Sequence, residues 1–190
     1  GHARLTSPLT EKGLFVDMLC DSTYIADIPL GVVSIGCGLN EEKGGFDIAL
    51  INEIEGRSSI SLSGNLSPKQ RRVEAQANLD RLNIGYAKPF LSDVFSEMDG
   101  FLTGKVSIAG PFDSLRVESE NTRLDNAELT IAYTNVPYTA DGAFHMDSKG
   151  VYFDDIRIRD RFNGTGSIEG SIKWNNLKDL NFDTQIRVNE

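Results

Sequence analysis

Residues 164–174 alternate without a break: Gly164, Gly166, Ile168, Gly170, Ile172 and Trp174 hold one phase, and Thr165, Ser167, Glu169, Ser171 and Lys173 hold the other. A period of two is the mark of a strand with one dry face and one wet face, and a chain that keeps it for most of its length is committed to sheet. The next segment keeps it too. Leu180, Phe182, Thr184, Ile186 and Val188 face one way, and Asp179, Asn181, Asp183, Gln185 and Arg187 face the other. Asn175 and Asn176 lie near the join, where Asn tolerates the positive backbone dihedrals of a hairpin turn.

The same period runs back along the chain. Ala140, Gly142, Phe144 and Met146 alternate with Asp141, His145 and Asp147; Ala127, Leu129, Ile131 and Tyr133 with Glu128 and Thr130; Leu102, Gly104, Val106 and Ile108 with Thr103, Lys105 and Ser107. After Ser148-Lys149-Gly150 the phase of residues 151–158 slips around Asp154-Asp155, which predicts a bulge, since one extra residue turns every later side chain to the opposite face. Earlier still, Ile60, Leu62, Gly64 and Leu66 form one face, Val73, Ala75, Ala77 and Leu79 another, and Val33, Ile35, Cys37 and Leu39 a third, followed by a Gly44-Gly45 turn. The sum is about a dozen strands in the spacing of an antiparallel meander. One stretch departs from it. Ile84, Ala87, Leu91, Val94, Phe95 and Met98 recur at helical intervals, Pro89 stands where a first turn tolerates it, and Gly100 follows, so the spacing predicts a short helix over residues 89–97. Residues 22–29 read as a loop.

Composition narrows the function. The 19 Lys and Arg against 28 Asp and Glu leave a net charge of −9, which argues against nucleic acid or an anionic membrane surface as partner. No run of eighteen apolar residues offers a helical membrane span. Two cysteines, Cys20 and Cys37, permit one disulfide in an oxidising compartment and no framework. The opening Gly1-His2 reads as the scar of a cleaved tag on a piece of a longer protein, whose signal or anchor lies elsewhere.

Catalytic constellations are missing. The histidines are His2, in the scar, and His145, on a polar strand face, so neither a hydrolase triad nor a zinc site can be assembled from them. Cys37 shares the phase of Val33 and Ile35 and reads as a small buried hydrophobe. The glycines at 164, 166 and 170 lie within a strand and fail the nucleotide-loop pattern, and Asp147, Asp154 and Asp155 lack the calcium-loop spacing. No enzyme, metal or cofactor is expected. The apolar face itself is the informative feature, rich in Ile, Leu, Val and Phe and thinned by Gly64, Gly104, Gly142, Gly166 and Gly170. Strand glycines mark bends, bulges or close approach. Periodicity alone admits two architectures: a packed β-sandwich, which it favours, and a single long sheet curled so that its apolar side lines a groove.

Residues 98–190 resemble the C-terminal domain of the TamB proteins, the AsmA-like translocation and assembly module subunits. The resemblance rests on Met98-Asp99-Gly100-Phe101-Leu102-Thr103-Gly104-Lys105-Val106-Ser107-Ile108-Ala109-Gly110-Pro111-Phe112, then Leu124-Asp125-Asn126-Ala127-Glu128-Leu129-Thr130-Ile131, Asn135-Val136-Pro137-Tyr138 and Val151-Tyr152-Phe153-Asp154-Asp155-Ile156-Arg157-Ile158. It closes on Gly164-Thr165-Gly166-Ser167-Ile168-Glu169-Gly170-Ser171-Ile172. The Asn-Val-Pro-Tyr element and the Asn-Asn-Leu-Lys-Asp-Leu-Asn-Phe run at 175–182 resemble Bacteroidetes versions. Residues 1–97 fit the family's degenerate repeats only loosely, which suggests a β-repeat segment over 1–97 ending in the short helix and a groove domain over 98–190, or one continuous domain over both.

The resemblance implies an all-β, elongated antiparallel sheet curled into a taco-like or roll-like groove with an apolar interior. It implies a periplasmic segment of a protein anchored in the inner membrane and reaching the outer membrane, with phospholipid acyl chains as cargo and no catalytic residues. Its partners would be an Omp85-class outer-membrane barrel of the TamA or BamA type and neighbouring repeats of the parent chain. The groove lining expected on this reading is Ile60, Leu62, Val73 and Leu79; Leu102, Val106 and Ile108; Leu129, Ile131 and Tyr133; Phe144 and Met146; Ile156 and Ile158; Ile168, Ile172 and Trp174; and Phe182, Ile186 and Val188. Two other readings are a scaffold for outer-membrane protein assembly and a ligand-binding or adhesin-like β-sandwich.

Overall fold

The structure is a computed structural model. It describes the backbone of residues 3–6, 9–10, 13–25, 27–175 and 178–189, and side chains within 16–25, 27–89, 91–173, 181 and 183–188. The strands are β1 (Ala3–Thr6), β2 (Leu9–Thr10), β3 (Gly13–Ile25), β4 (Ile28–Asn40), β5 (Gly45–Glu53), β6 (Ile60–Ser67) and β7 (Arg72–Asn83). After a 3-10 turn (Ile84–Ala87) and the single-turn helix α1 (Lys88–Leu91) come β8 (Phe95–Pro111), β9 (Arg116–Ile131), β10 (Val136–Asp147), β11 (Gly150–Asp160), β12 (Thr165–Asn175) and β13 (Lys178–Asn189). All belong to one antiparallel sheet in which neighbours in sequence are neighbours in space, from β1 through β3 to β13, with β2 also on β3. The order does not return on itself, so the sheet is open. The meander is as the period of two predicts, in one sheet rather than the two of a sandwich.

Two compact units share its strands: unit 1 is Gly1–Asp80 with Val106–Val117, and unit 2 is Arg81–Lys105 with Glu118–Glu190. The division falls near residue 80 and again inside β8 and β9.

In unit 1 the register lines up apolar side chains strand after strand. Met18, Ile35, Leu50, Leu62 and Ala77 form one rung across five strands, and Leu39, Phe46, Leu66 and Val73 form another across four. The opposite face carries Asp17, Gly36, Ala49, Ser63 and Gln76 along a single rung. Cross-strand pairs of this kind are the unit of sheet stabilisation. Of residues 22–29, expected as a loop, residues 22–25 belong to β3 and residues 28–29 to β4. Ser22 adopts a left-handed backbone (φ 57) and the pairing shifts on both sides of Thr23, and this bulge is what hides the alternation in the sequence.

In unit 2 the same logic places Ile158, Ala140 and Ala127 on one rung and Phe153 and Phe144 on the next. The pairing of β11 skips from Phe153 to Ile156 on β12, so Asp154 and Asp155 bulge outward and are exposed. The phase slip in the sequence is this bulge. The helix is shorter and earlier than residues 89–97. Asn83 caps the 3-10 turn, its Oδ1 accepting from the Gly85 N–H at 2.7 Å, and residues 95–97 already belong to β8. Pro89 sits in the first positions of α1, as the sequence rule requires, and Val94, Phe95 and Met98 keep helical spacing only by chance across the entry to a strand.

Candidate functional site

The apolar face of unit 2 converges on four buried residues, Ile84, Ala127, Ala140 and Ile156. Of the expected lining, Leu102, Leu129, Phe144, Ile158 and Ile168 pack against them, joined by Met98, Leu124 and Phe153. Ile131, Met146 and Ile172 are half-buried and reach the same face by register, through Val136 and Val151. Ile60, Leu62, Val73, Leu79, Val106 and Ile108 belong to unit 1, where Leu79 is buried and the others half-buried.

Three of the expected lining residues are exposed. Tyr133 is 97% exposed, because β9 ends at Ile131 and residues 132–135 are the turn into β10. Ile186 and Val188 keep the apolar phase, opposite Ile168 and Gly166, and are 62% and 75% exposed on β13, the last strand described. The side chains of Trp174 and Phe182 lie outside the described residues.

The strand glycines do not leave vacant room on the face. A Cβ at Gly170 would stand 2.1 Å from the Asp183 carbonyl oxygen, and one at Gly104 2.6 Å from the Thr122 methyl. Both residues also hold positive φ, +131 and +147, where a side chain is strained. These glycines let neighbouring strands close in and the backbone bend.

Two buried polar clusters escaped the sequence reading. Asn52 stands on the apolar phase of β5 opposite Val33 and is fully buried. Its Nδ2 donates to the Leu30 carbonyl (3.0 Å) and the Ser59 hydroxyl (2.9 Å), and its Oδ1 accepts from the N–H groups of Ser59 (3.0 Å) and Ile60 (2.7 Å). It thereby pins the loop between β5 and β6. In unit 2 the Thr122 hydroxyl donates to the Phe144 carbonyl, so its oxygen accepts from Ser119 Oγ at 3.0 Å, and Ser119 in turn accepts from the Met146 N–H at 2.8 Å. This chain of hydroxyls continues the β9–β10 contact past Phe144–Thr122, the last backbone pair. A polar residue breaking an apolar phase, as Asn52 does after Phe46, Ile48 and Leu50, was the signal available in the sequence.

The polar face carries its charges in solvated, local arrangements. Asp47 accepts from Asn40 and Asn65, which with nearby Lys43 hold its carboxyl below the usual range. Asp147 is held low by the Lys149 N–H first, with the Gly150 N–H adding to it at the β10–β11 turn. His145 is exposed and stacks on Tyr152 with ring centroids 4.8 Å apart. Burial raises the Tyr152 hydroxyl, and Asp147 pushes it further in the same direction. Cys20 and Cys37 are both free thiols. They lie on rungs separated by the Met18–Ile35 pair, a separation of about 13 Å that no disulfide spans. Among the described residues no three His, Cys, Asp or Glu side chains group as a metal site, and no helix is long and apolar enough to cross a membrane.

Comparison with protein-family models, with curated proteins and with solved structures finds no match to this chain.

Proposed function

We propose that the chain is a periplasmic groove segment of a TamB-like envelope protein and that its apolar face conducts phospholipid acyl chains between the inner and outer membranes. One observation carries this reading. Among the described residues the largest side chains that are fully buried are Asn52 and Thr122, both polar; Leu79, Ile84 and Ile156 are buried, but most of the long apolar side chains of the face, Leu102, Leu129, Ile131, Phe144, Phe153, Ile158 and Ile168 among them, are half-buried. A packed core closes over its Leu, Ile and Phe; here those side chains keep apolar surface that another apolar body can cover, at about 0.8 kcal/mol per methylene. The opposite face carries the acidic and hydroxyl residues that a water-filled compartment requires. Chemistry on the lipid has no place in this reading: the polar groups are structural, and the cargo is moved rather than transformed.

A second reading, assembly of outer-membrane proteins beside an Omp85-class barrel, draws on the exposed Ile186 and Val188 of β13, apolar side chains that an incoming strand would cover. Photo-crosslinking separates the two. Photoreactive side chains at Ile131, Phe144 and Ile172, in the full-length parent in its native envelope, are expected to capture phospholipid, while Glu128 and Lys173, exposed on the other face, stay clean. Ser171, although on that polar phase, is buried opposite Tyr152 and Asp183 and makes a poor control. Capture of protein alone at the three apolar positions, or equal lipid labelling of both faces, overturns the lipid reading.

A further inference from the structure

Two turns of unit 2 hold an aromatic ring out in water. β9 and β11 run in the same direction, so the turn after β9 (residues 132–135) and the turn after β11 (residues 161–164) lie at one end of the strands, two strand spacings or about 10 Å apart. Tyr133 in the first turn is 97% exposed and Phe162 in the second 77%. The turn between β10 and β11, at the opposite end, presents Ser148 and Lys149 instead.

Both turns have a fixed shape. In the second, Asp160 Oδ1 accepts from the N–H groups of Phe162 and Gly164, both at 2.8 Å. The Asn163 N–H donates to the Asp160 carbonyl (3.1 Å), and the Asp160 N–H to the Gly164 carbonyl (2.9 Å). A Cβ at Gly164 would stand 2.9 Å from that carboxylate, so the glycine is part of the design. In the first turn the Ala132 N–H donates to the Val94 carbonyl (2.9 Å) and the Asn135 N–H to the Ile131 carbonyl (2.8 Å). Asn135 and Asn163 take the left-handed backbone, at φ 53 and 66, which Asn tolerates. Each turn thus spends local hydrogen bonds on a conformation that leaves a large ring uncovered.

We infer that this end of unit 2 docks on a zwitterionic bilayer, with Tyr133 and Phe162 seated among the lipid headgroups. The choice of a bilayer rests on the lipid reading above. The pairs Leu129–Tyr138 and Ile131–Val136, all half-buried, carry the apolar face to the foot of the first turn, where an acyl chain leaving a bilayer meets it directly. The rings themselves suit the boundary between water and hydrocarbon, which favours an apolar body with a polar handle: Tyr133 has its hydroxyl, and the Arg161 guanidinium lies 4.7 Å over the Phe162 ring. Residues 132–135 and 160–164 carry one acid, Asp160, and one cation, Arg161, so this end brings no net charge to headgroups that bring none. With the N–H groups of Asp160, Phe162, Asn163 and Gly164 already donating within the turn, few donors are stripped of water on entry. A fluid surface also accepts two separate rings without matching their shape, whereas a protein partner covers about 800 Å² of matched surface per side.

The test places single tryptophans in a Trp174→Phe background of the full chain and adds vesicles of phosphatidylcholine, plain or brominated in the acyl chains. Tyr133→Trp and Phe162→Trp are expected to shift to the blue in plain vesicles and to be quenched in brominated ones, while Ser148→Trp does neither. In the natural background, the double variant Tyr133→Ser/Phe162→Ser is expected to lower vesicle co-sedimentation about tenfold with its strand circular dichroism intact. No quenching at 133 and 162, or equal quenching at 148, overturns the docking end. Should the Trp174→Phe background lose its strand spectrum, co-sedimentation decides, and equal partitioning of the double variant and the unaltered chain overturns it. Uptake of cis-parinaric acid without vesicles reads the lipid proposal separately. Uptake without quenching overturns the docking end and leaves lipid binding standing; quenching without uptake supports the docking end and overturns the lipid reading.

Discussion

Replacing Asn52 by Ala tests whether a polar residue, rather than an apolar core, fixes the conformation of unit 1. The side chain is fully buried and makes four hydrogen bonds, two donated and two accepted. Alanine leaves the N–H groups of Ser59 and Ile60 and the carbonyl of Leu30 without that partner. A typical buried hydrogen bond contributes about 1 kcal/mol net, and each group left unpaired away from water costs about 1–3 kcal/mol. Ser59 and Ile60 are half-buried, so water replaces part of what they lose. The sum is a destabilisation of about 3 kcal/mol, large for a single side chain of this size.

Urea unfolding followed by circular dichroism measures the total, and hydrogen exchange at the Ser59 and Ile60 amides measures the local part. The local readout matters because a chain with two compact units need not unfold in one step. Asn52→Asp is the companion variant. It keeps the acceptor for both N–H groups but sets a carboxylate beside the Leu30 carbonyl, and is expected to be no more stable than Asn52→Ala at neutral pH. A loss below about 1 kcal/mol for Asn52→Ala, with the Ile60 amide still protected, would refute the reasoning.

Other expectations follow from particular positions. Gly170→Ala forces a Cβ onto the Asp183 carbonyl at positive φ and is expected to lower stability by at least about 2 kcal/mol in thermal unfolding, with β13 the first strand to lose exchange protection. Ile156→Asp, at 4% exposure, should cost about 4 kcal/mol, whereas Ile186→Asp, at 62%, should stay within about 0.5 kcal/mol; equal losses would show that the edge is as dry as the centre. Asp147 is held below its unfolded value, so its contribution is present above that value, near pH 4, and is lost as pH falls through the folded one. Acid titration with Asp147→Asn as reference should show the β10–β11 turn loosening in that window and nowhere above it.

The alternation of residues 164–174 made the sheet legible, because a strand with one dry face writes its geometry directly into the order of its residues. Bulges are legible only where they break a strong phase: Asp154-Asp155 interrupts a run of Ile and Phe, whereas Ser22 interrupts a mixed run that reads as a loop. The helix was misplaced because Ile84, Leu91 and Met98 satisfy a helical spacing that belongs to three different elements. Tyr133 continued the phase of Leu129 and Ile131 past the point where backbone pairing ends, and phase alone cannot see a turn. Nor does phase report exposure: Ile186 shares the phase of Ile168, yet it is 62% exposed. Asn52 and Thr122 act through tertiary partners some twenty residues away, Leu30 and Phe144, which no local pattern encodes.

The same features explain how an open sheet can be specific without a large core. Apolar burial is non-directional, and a face whose Leu, Ile and Phe are half-buried gains nearly as much from several registers as from one. Something directional must then choose the register. In unit 1 that is Asn52, whose four bonds can be made in one alignment of β4, β5 and the loop before β6. In unit 2 it is the Ser119–Thr122 relay, which fixes β9 against β10 where the backbone ladder stops. Glycines such as Gly104 and Gly170 reinforce the choice, since a side chain there would meet the neighbouring strand. With alignment assigned to polar and glycine positions, the apolar side chains are left free of that task. A face that does not have to pack uniquely against itself can remain exposed enough to receive another apolar body, and this division of labour is what the proposed conduction of acyl chains would need.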